Sequence, residues 1–218
     1  SSLDDWFTRL DDLRQQPGVR GVIGLCPSSV VAVKSRKEDG TYEPVLVELM
    51  VELAREGFLI VLFPNATRDQ AGNAERNNDL PVMRRLRDGC LQAGVERAPF
   101  LVDFDVNAAG IKRVIANMDL VLVSRFHPMV GALSLGLPPV VLGWSHKYAE
   151  VMARFGLEGQ VMDYQRLGLG ELRTAVEEVF GRRDEVAARI QERLPEIQAS
   201  ADRPVIALLT DSLGADLA

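Results

Sequence analysis

Short runs of valine, isoleucine and leucine recur along the chain, and each is followed by a segment with apolar residues at helical spacing. No other feature constrains the fold as strongly. A strand exposed on one face alternates apolar and polar residues, whereas these runs are almost continuously apolar, as in strands buried on both faces. Runs at 19–25, 58–63, 100–103, 119–124, 139–142 and 160–162 read as strands. Between and after them, helices are expected at 3–16, 42–56, 79–93, 107–118, 128–135, 147–155, 168–181, 184–200 and 204–213. Asp79 and Asn107 stand where helix caps belong, Pro81 fits a first turn, and Gly57, Gly136 and Gly156 stand where helices stop. Residues 30–33 either continue the first strand or line a loop, and 65–78 read as a long polar loop. Strand–helix alternation of this kind gives a doubly wound parallel α/β sheet of about six strands. The expected organisation is one domain over 1–218, with a core at about 19–165 and a helical C-terminal tail at about 168–213.

Composition narrows the function classes. The formal net charge is −6 with no run of Lys or Arg, which argues against a general nucleic-acid binder. Apolar residues at 47% and charged residues at 26% fit a soluble globular protein. Two cysteines, Cys26 and Cys90, are too few for a disulfide scaffold and read as buried apolar residues. Two histidines, His127 and His146, exclude a multi-histidine metal cluster within the chain. Charge interrupts every apolar run before it reaches a membrane span, and the acidic, amphipathic first thirty residues carry no signal-peptide core, so a cytoplasmic location is expected. Ser1-Ser2 without a methionine reads as the start of a trimmed or excised piece.

In a doubly wound sheet, ligands bind beyond the carboxyl ends of the strands. No G-x-G-x-x-G, Walker A sequence or G-x-S-x-G elbow follows any strand here, so the chemistry must come from the strand-end loops. Ser124-Arg125-Phe126-His127-Pro128 puts a guanidinium and an imidazole where a strand gives way to a helix start, an arrangement that attracts anions and includes the side chain best suited to carry protons near neutral pH. The plainer reading is a structural histidine with Arg125 in an ion pair. Gly143-Trp144-Ser145-His146-Lys147 repeats the pattern after the next strand: Ser145 can cap, Lys147 can meet phosphate or carboxylate, and Trp144 can wall a sugar or an enol. Equally, this is an ordinary cap with a solvated lysine. Ser28 and Ser29, followed by Lys34, Arg36 and Lys37, suit phosphate oxygens, or form a polar turn and a solvated charge run. Asn65, Ala66, Thr67, Arg68 and Asp69 begin a long loop of the sort that forms lids. Asp103 and Asp105 read as a strand-end turn rather than a cation site. Trp6 and Phe7 read as the residues that dock the first helix on the sheet.

The ordered set of these motifs resembles the polysaccharide pyruvyl transferase family. The stretch DLVLVSRFHPMVGALSLGLPPVVLGWSHKYAEVMARFGL (119–157) is similar to its signature: Arg125-x-His127 at a strand–helix junction, a small-residue helix, Gly136-Leu137-Pro138, a strand, Lys147, and Phe155-Gly156-Leu157. Upstream, CPSSVV (26–31), YEPVLVELMVELAREGFLIVLFPNATR (42–68) and NDLPVMRRL (78–86) match in order and spacing. The likeness covers about 19–157. It implies one Rossmann-like half of a GT-B-like fold, with the active site in the cleft between two such halves. It implies transfer of the enolpyruvyl group of phosphoenolpyruvate to two hydroxyls of a glycan or lipid-linked sugar, giving a pyruvate ketal in cell-envelope polysaccharide synthesis. Arg125 and His127 would hold the donor's phosphate and carboxylate, with His127 as acid, and Lys34 or Arg36 would supply a third basic contact. Ser28, Ser29, Asn65, Ser124, Phe126, Ser145, His146 and Lys147 would line the substrate site. Phosphoenolpyruvate is the donor substrate, and no metal or further cofactor is called for. Relatives often carry Pro-His where this chain has Pro64-Asn65, and full members are longer, so this chain resembles their C-terminal half.

Two other readings stand beside this one. A GT-B glycosyltransferase or sugar-nucleotide epimerase domain would bind a nucleotide sugar and place a carboxylate, for which Asp163 is the candidate, on the ribose. A non-catalytic interaction module would use the acidic first helix and the helical tail to pack on an N-terminal domain or a second copy. No nucleic acid is expected as a partner.

Overall fold

The computed structural model describes residues 2–67 and 78–200. The helix expected at 204–213 and most of the polar loop, with Arg68 and Asp69, lie outside the described residues.

The expected alternation is present. In chain order the elements are α1 (Leu3–Arg14), β1 (Gly21–Cys26), α2 (Ser29–Glu38), α3 (Tyr42–Arg55), β2 (Phe58–Leu62), α4 (Leu80–Gln92), β3 (Phe100–Leu101), α5 (Ala108–Ala116), β4 (Leu120–Val123), α6 (Phe126–Ser134), β5 (Pro139–Gly143), α7 (His146–Arg154), β6 (Val161–Asp163), α8 (Leu169–Gly181) and α9 (Arg183–Ala199). All six strands are parallel, in the order β3-β2-β1-β4-β5-β6. This is a Rossmann-like sheet with C-terminal helices, as the sequence predicts.

The two faces of the sheet differ in side-chain size. Ile23, Leu25, Ile60, Leu62, Leu120, Leu122 and Leu142 point to one side, where α2, α3, α4 and α8 pack. Val22, Val61, Val121, Val123 and Val141 point to the other, where α1, α5, α6, α7 and α9 pack. The smaller strand residues on that second face leave room for Trp6, Phe63 and Phe155, all buried there. Trp6 stacks on Phe100 and its indole N–H donates to the Leu101 carbonyl at 3.0 Å, so the first helix is docked as expected, with Phe7 packed beside it.

Some local expectations change. Residues 30–33 neither extend β1 nor line a loop; they form the first turns of α2, whose start is capped by Ser28 accepting from the Val31 N–H at 3.3 Å. The chain leaves β1 after Cys26 and enters a helix at Ser29, so these β-branched residues bury on a helix instead. Asp79 precedes α4 but its side chain does not cap that helix. Ser145 likewise precedes α7 without a side-chain cap bond. Asn107 does cap α5, accepting from the Gly110 N–H at 2.8 Å. Gly57 takes φ +92°, and a Cβ there would strike the Gly18 carbonyl oxygen, so that turn accepts only glycine.

Candidate functional site

Strand order reverses between β1 and β4, and that reversal opens a crevice at the carboxyl edge of the sheet. Helices α2 and α6 both start there, and α7 starts one strand further on. The first-turn N–H groups of a helix lack intrahelical partners, and the helix start carries partial positive charge. Three such starts share this edge; that of α2 already holds a carboxylate of the chain itself, and those of α6 and α7 favour an anion there.

Beneath the crevice lies a buried polar network. Asp79 is fully buried, and its carboxylate accepts from the backbone N–H groups of Ser29 at 2.9 Å, Asn65 at 3.2 Å and Ala66 at 3.1 Å. Arg125 closes on the same carboxylate through Nε at 3.2 Å and through Nη2, which also donates to Ser29 Oγ at 2.8 Å. One carboxylate thus joins the segments following β1, β2 and β4. Beside it, the Tyr42 hydroxyl accepts from the Ser28 N–H at 3.1 Å and donates to Ser124 Oγ at 2.8 Å. The Tyr148 hydroxyl donates to the Ser124 carbonyl at 3.3 Å. Burial pushes Tyr42 well above the usual phenol range and Tyr148 up to about 12, so both remain donors at any working pH. Burial also raises the Cys26 thiol, which lies beneath the same network.

The residues singled out in the sequence separate into groups. Ser28, Ser29 and Ser124 are buried, and their hydroxyls serve the cap, Arg125 and Tyr42 respectively; they shape the floor of the crevice. The Arg125 side chain is only 13% exposed and is paired with Asp79. Phe126 is half-buried, edge-on to Tyr148, with its ring 6.3 Å from His127. His127, at the start of α6, is exposed, as are His146 and Lys147 at the start of α7 and Asn65 after β2. The His146 Nε2 lies 3.9 Å from Glu150, along its own helix. Of the two basic candidates on α2, Arg36 pairs with Glu43 on α3 at 3.2 Å, whereas Lys34 holds its Nζ 4.7 Å from the Trp144 ring centre.

Lys34, Trp144, Ser145 and Asp163 line a cavity of about 540 Å³ between α2, β5 and β6. Glu38, Tyr164 and Gln165 complete its polar wall. Tyr164 and Gln165 fall in the strand-end segment after β6, where ligands are expected, but sequence reasoning misses Glu38, and it misses Asp79, Tyr42 and Tyr148 as organisers of the site. Asp79 lies 50 residues from Ser29 and 46 from Arg125 in sequence, and no local pattern encodes such meetings. Among the described residues, no group of three or more His, Cys, Asp or Glu side chains is placed to hold a metal ion. No described helix is long and apolar enough to cross a membrane.

Fold and edge together define a Rossmann-like domain of the GT-B kind. No protein-family model and no curated protein matches the sequence. Among solved structures, the chain is similar to an O-GlcNAc transferase variant from Thermobaculum terrenum, at TM-score 0.57 and 15% identity over 90% of this chain and 36% of that one. It is similar to the C-terminal domain of the group 1 glycosyl transferase LpcC from Francisella tularensis, at TM-score 0.51 and 13% identity over 97% of this chain and 92% of that domain. It is also similar to a UDP-GlcNAc 2-epimerase from Neisseria meningitidis bound to UDP-GlcNAc, at TM-score 0.51 and 14% identity over 96% of this chain and 50% of that one. The chain thus spans about a third of the first and half of the last. At these identities the likeness concerns the fold.

Proposed function

We propose that this chain is the donor-binding half of a GT-B-type enzyme that modifies sugars, and that its donor is a small phosphate-bearing molecule held at the crevice between β1 and β4. The observation that carries the reading is the convergence of the α6 and α7 starts on one sheet edge, with His127, His146 and Lys147 exposed there. The ordered motif around Arg125-x-His127 makes phosphoenolpyruvate the favoured donor. In that reaction His127 gives a proton to the enol methylene carbon, and a sugar hydroxyl adds to the oxocarbenium-like C2. Phosphate then leaves as a second hydroxyl closes the ketal. The α6 and α7 starts, His127 and Lys147 offset the donor's charge. Arg125, held by Asp79 and Ser29, keeps the floor of the crevice in place beneath it.

A second reading takes a nucleotide sugar as donor, and the solved structures support it more directly than the first. All three are glycosyltransferases or an epimerase, and one holds UDP-GlcNAc. Asp163, at the end of β6 and on the cavity wall, is a carboxylate available to a ribose.

Titration calorimetry with phosphoenolpyruvate, UDP and UDP-GlcNAc, on this chain and its His127→Ala variant, separates the two. Phosphoenolpyruvate binding that weakens at least tenfold in the variant is expected. Binding of the uridine nucleotides alone moves the assignment to the second reading. Binding of none refutes a donor site carried by this chain itself.

A further inference from the structure

The cavity between α2, β5 and β6 has a chemical character opposite to that of the crevice. Its charged lining is one lysine, Lys34, against two carboxylates, Glu38 and Asp163, a formal charge of 1 − 2 = −1. Such a wall disfavours phosphate and carboxylate ligands. Its remaining polar groups are Ser145, Tyr164 and Gln165, which are neutral. At the rim stands Trp144, 41% exposed, one of two large hydrophobic side chains so exposed among the described residues.

Glu38 is the central acceptor. It closes α2, and its carboxylate already accepts from the Tyr164 hydroxyl at 3.4 Å and from Gln165 Nε2 at 3.3 and 3.4 Å. These three long bonds fix the direction of the carboxylate and leave about one of its roughly four lone-pair sites for a ligand. Burial and the neighbouring Glu38 charge raise the Tyr164 phenol, keeping its proton for donation. Trp144 packs beside Tyr148, whose ring centre lies 6.3 Å away, while the Lys34 ammonium rests over its face on a flexible stem and would be displaced by a sugar ring. An indole face meets the apolar C–H face of a sugar ring, while a carboxylate and a carboxamide meet its hydroxyls. The volume of about 540 Å³ lies within the usual range for small-molecule sites, roughly 300–1,000 Å³.

We propose that this cavity is a binding subsite for a neutral pyranose, with Trp144 as its platform and Glu38 accepting from a ring hydroxyl. The half of the cleft present in this chain would then hold a sugar as well as the donor. Its identification with the acceptor rests on the donor-binding role proposed above; its affinity for a pyranose does not.

The two tryptophans of the chain make the test direct, because Trp6 is buried on the far helix α1 while Trp144 lines the cavity. In nitrogen-15 spectra each indole gives its own N–H signal. Methyl β-D-glucopyranoside, methyl β-D-galactopyranoside and methyl α-D-mannopyranoside are titrated without any donor, with uridine as a separate arm. At least one pyranoside is expected to shift the Trp144 signal and leave Trp6 still. Glu38→Gln should weaken that binding about tenfold, the low end for losing hydrogen bonds to a charged group. Trp144→Ala should abolish it, read by saturation transfer to the sugar protons. Glu38 and Trp144 are exposed, so the unchanged Trp6 signal reports that each variant is folded. No pyranoside shift up to the solubility limit overturns the proposal. A shift with uridine alone also overturns it, assigning the cavity to a ribose. Because no donor is present, failure here leaves the calorimetry above unaffected, and failure there leaves this result standing.

Discussion

Removing Asp79 should loosen the whole strand edge, and it should do so more severely than removing its partner. The Asp79 side chain is fully buried and that of Arg125 is nearly so. Breaking a buried ion pair by deleting one partner typically costs about 3–5 kcal/mol, because the other charge stays desolvated. In Asp79→Ala the guanidinium loses its counter-charge, and the N–H groups of Ser29, Asn65 and Ala66 lose their acceptor. In Arg125→Ala the carboxylate keeps those three backbone donors, so the loss falls nearer the cost of hydrogen bonds to a charged group, about 1.5–3 kcal/mol. With a urea m-value of about 2 kcal/mol/M, Asp79→Ala should lower the unfolding midpoint by roughly 2 M and Arg125→Ala by roughly 1 M. The double variant Asp79→Leu/Arg125→Met, which removes both charges at similar volume, should be more stable than Asp79→Ala alone. Circular dichroism during urea unfolding reads all three. An unchanged midpoint for Asp79→Ala, or a larger loss for Arg125→Ala, would refute the claim that Asp79 is the hub.

Two further outcomes follow from buried groups. Cys26 and Cys90 are both buried, and burial pushes the Cys90 thiol up to about 11 and the Cys26 thiol higher than its ordinary value. Raised thiols stay protonated at pH 8, so a thiol-disulfide reagent should label neither cysteine in the native chain and both after denaturation. Tyr42→Phe deletes the hydroxyl between the Ser28 N–H and Ser124 Oγ and leaves both without that partner in a dry setting. It should cost about 1–3 kcal/mol in the same urea assay.

The fold was legible because its signal is local. Continuous apolar runs such as Leu120–Val123 need two covering layers, and the segment that follows each run can supply a layer by its own periodicity. Ser28 and residues 30–33 show where this fails: a β-branched run reads as strand until a capping serine after Pro27 converts it to helix. The site was legible only where a strand end and a helix start coincide, as at Arg125 and His127. Asp79 looked like a cap from its neighbours, yet its acceptors are used on three other segments. Glu38 carries no local signal because its partners Tyr164 and Gln165 lie more than a hundred residues away.

That pairing of Arg125 with Asp79 changes how the crevice meets an anion. The sequence motif invites a reading in which Arg125 is the main cation. In the folded chain its charge is matched by a buried carboxylate 3.2 Å from its Nε, and the pair together is neutral. In the proposed donor site the attraction then belongs to the starts of α6 and α7 and to exposed His127 and Lys147, because the α2 start already holds Asp79, while Arg125 fixes where the α6 start lies relative to α2 through Ser29. Tyr148 extends that arrangement sideways. Its hydroxyl is anchored on Ser124 at the crevice and its ring braces both Phe126 and Trp144, so the anion-attracting edge and the sugar-sized cavity share one buried support. Under the two proposals, these neighbouring sites would hold an anionic donor beside a neutral acceptor on one shared support.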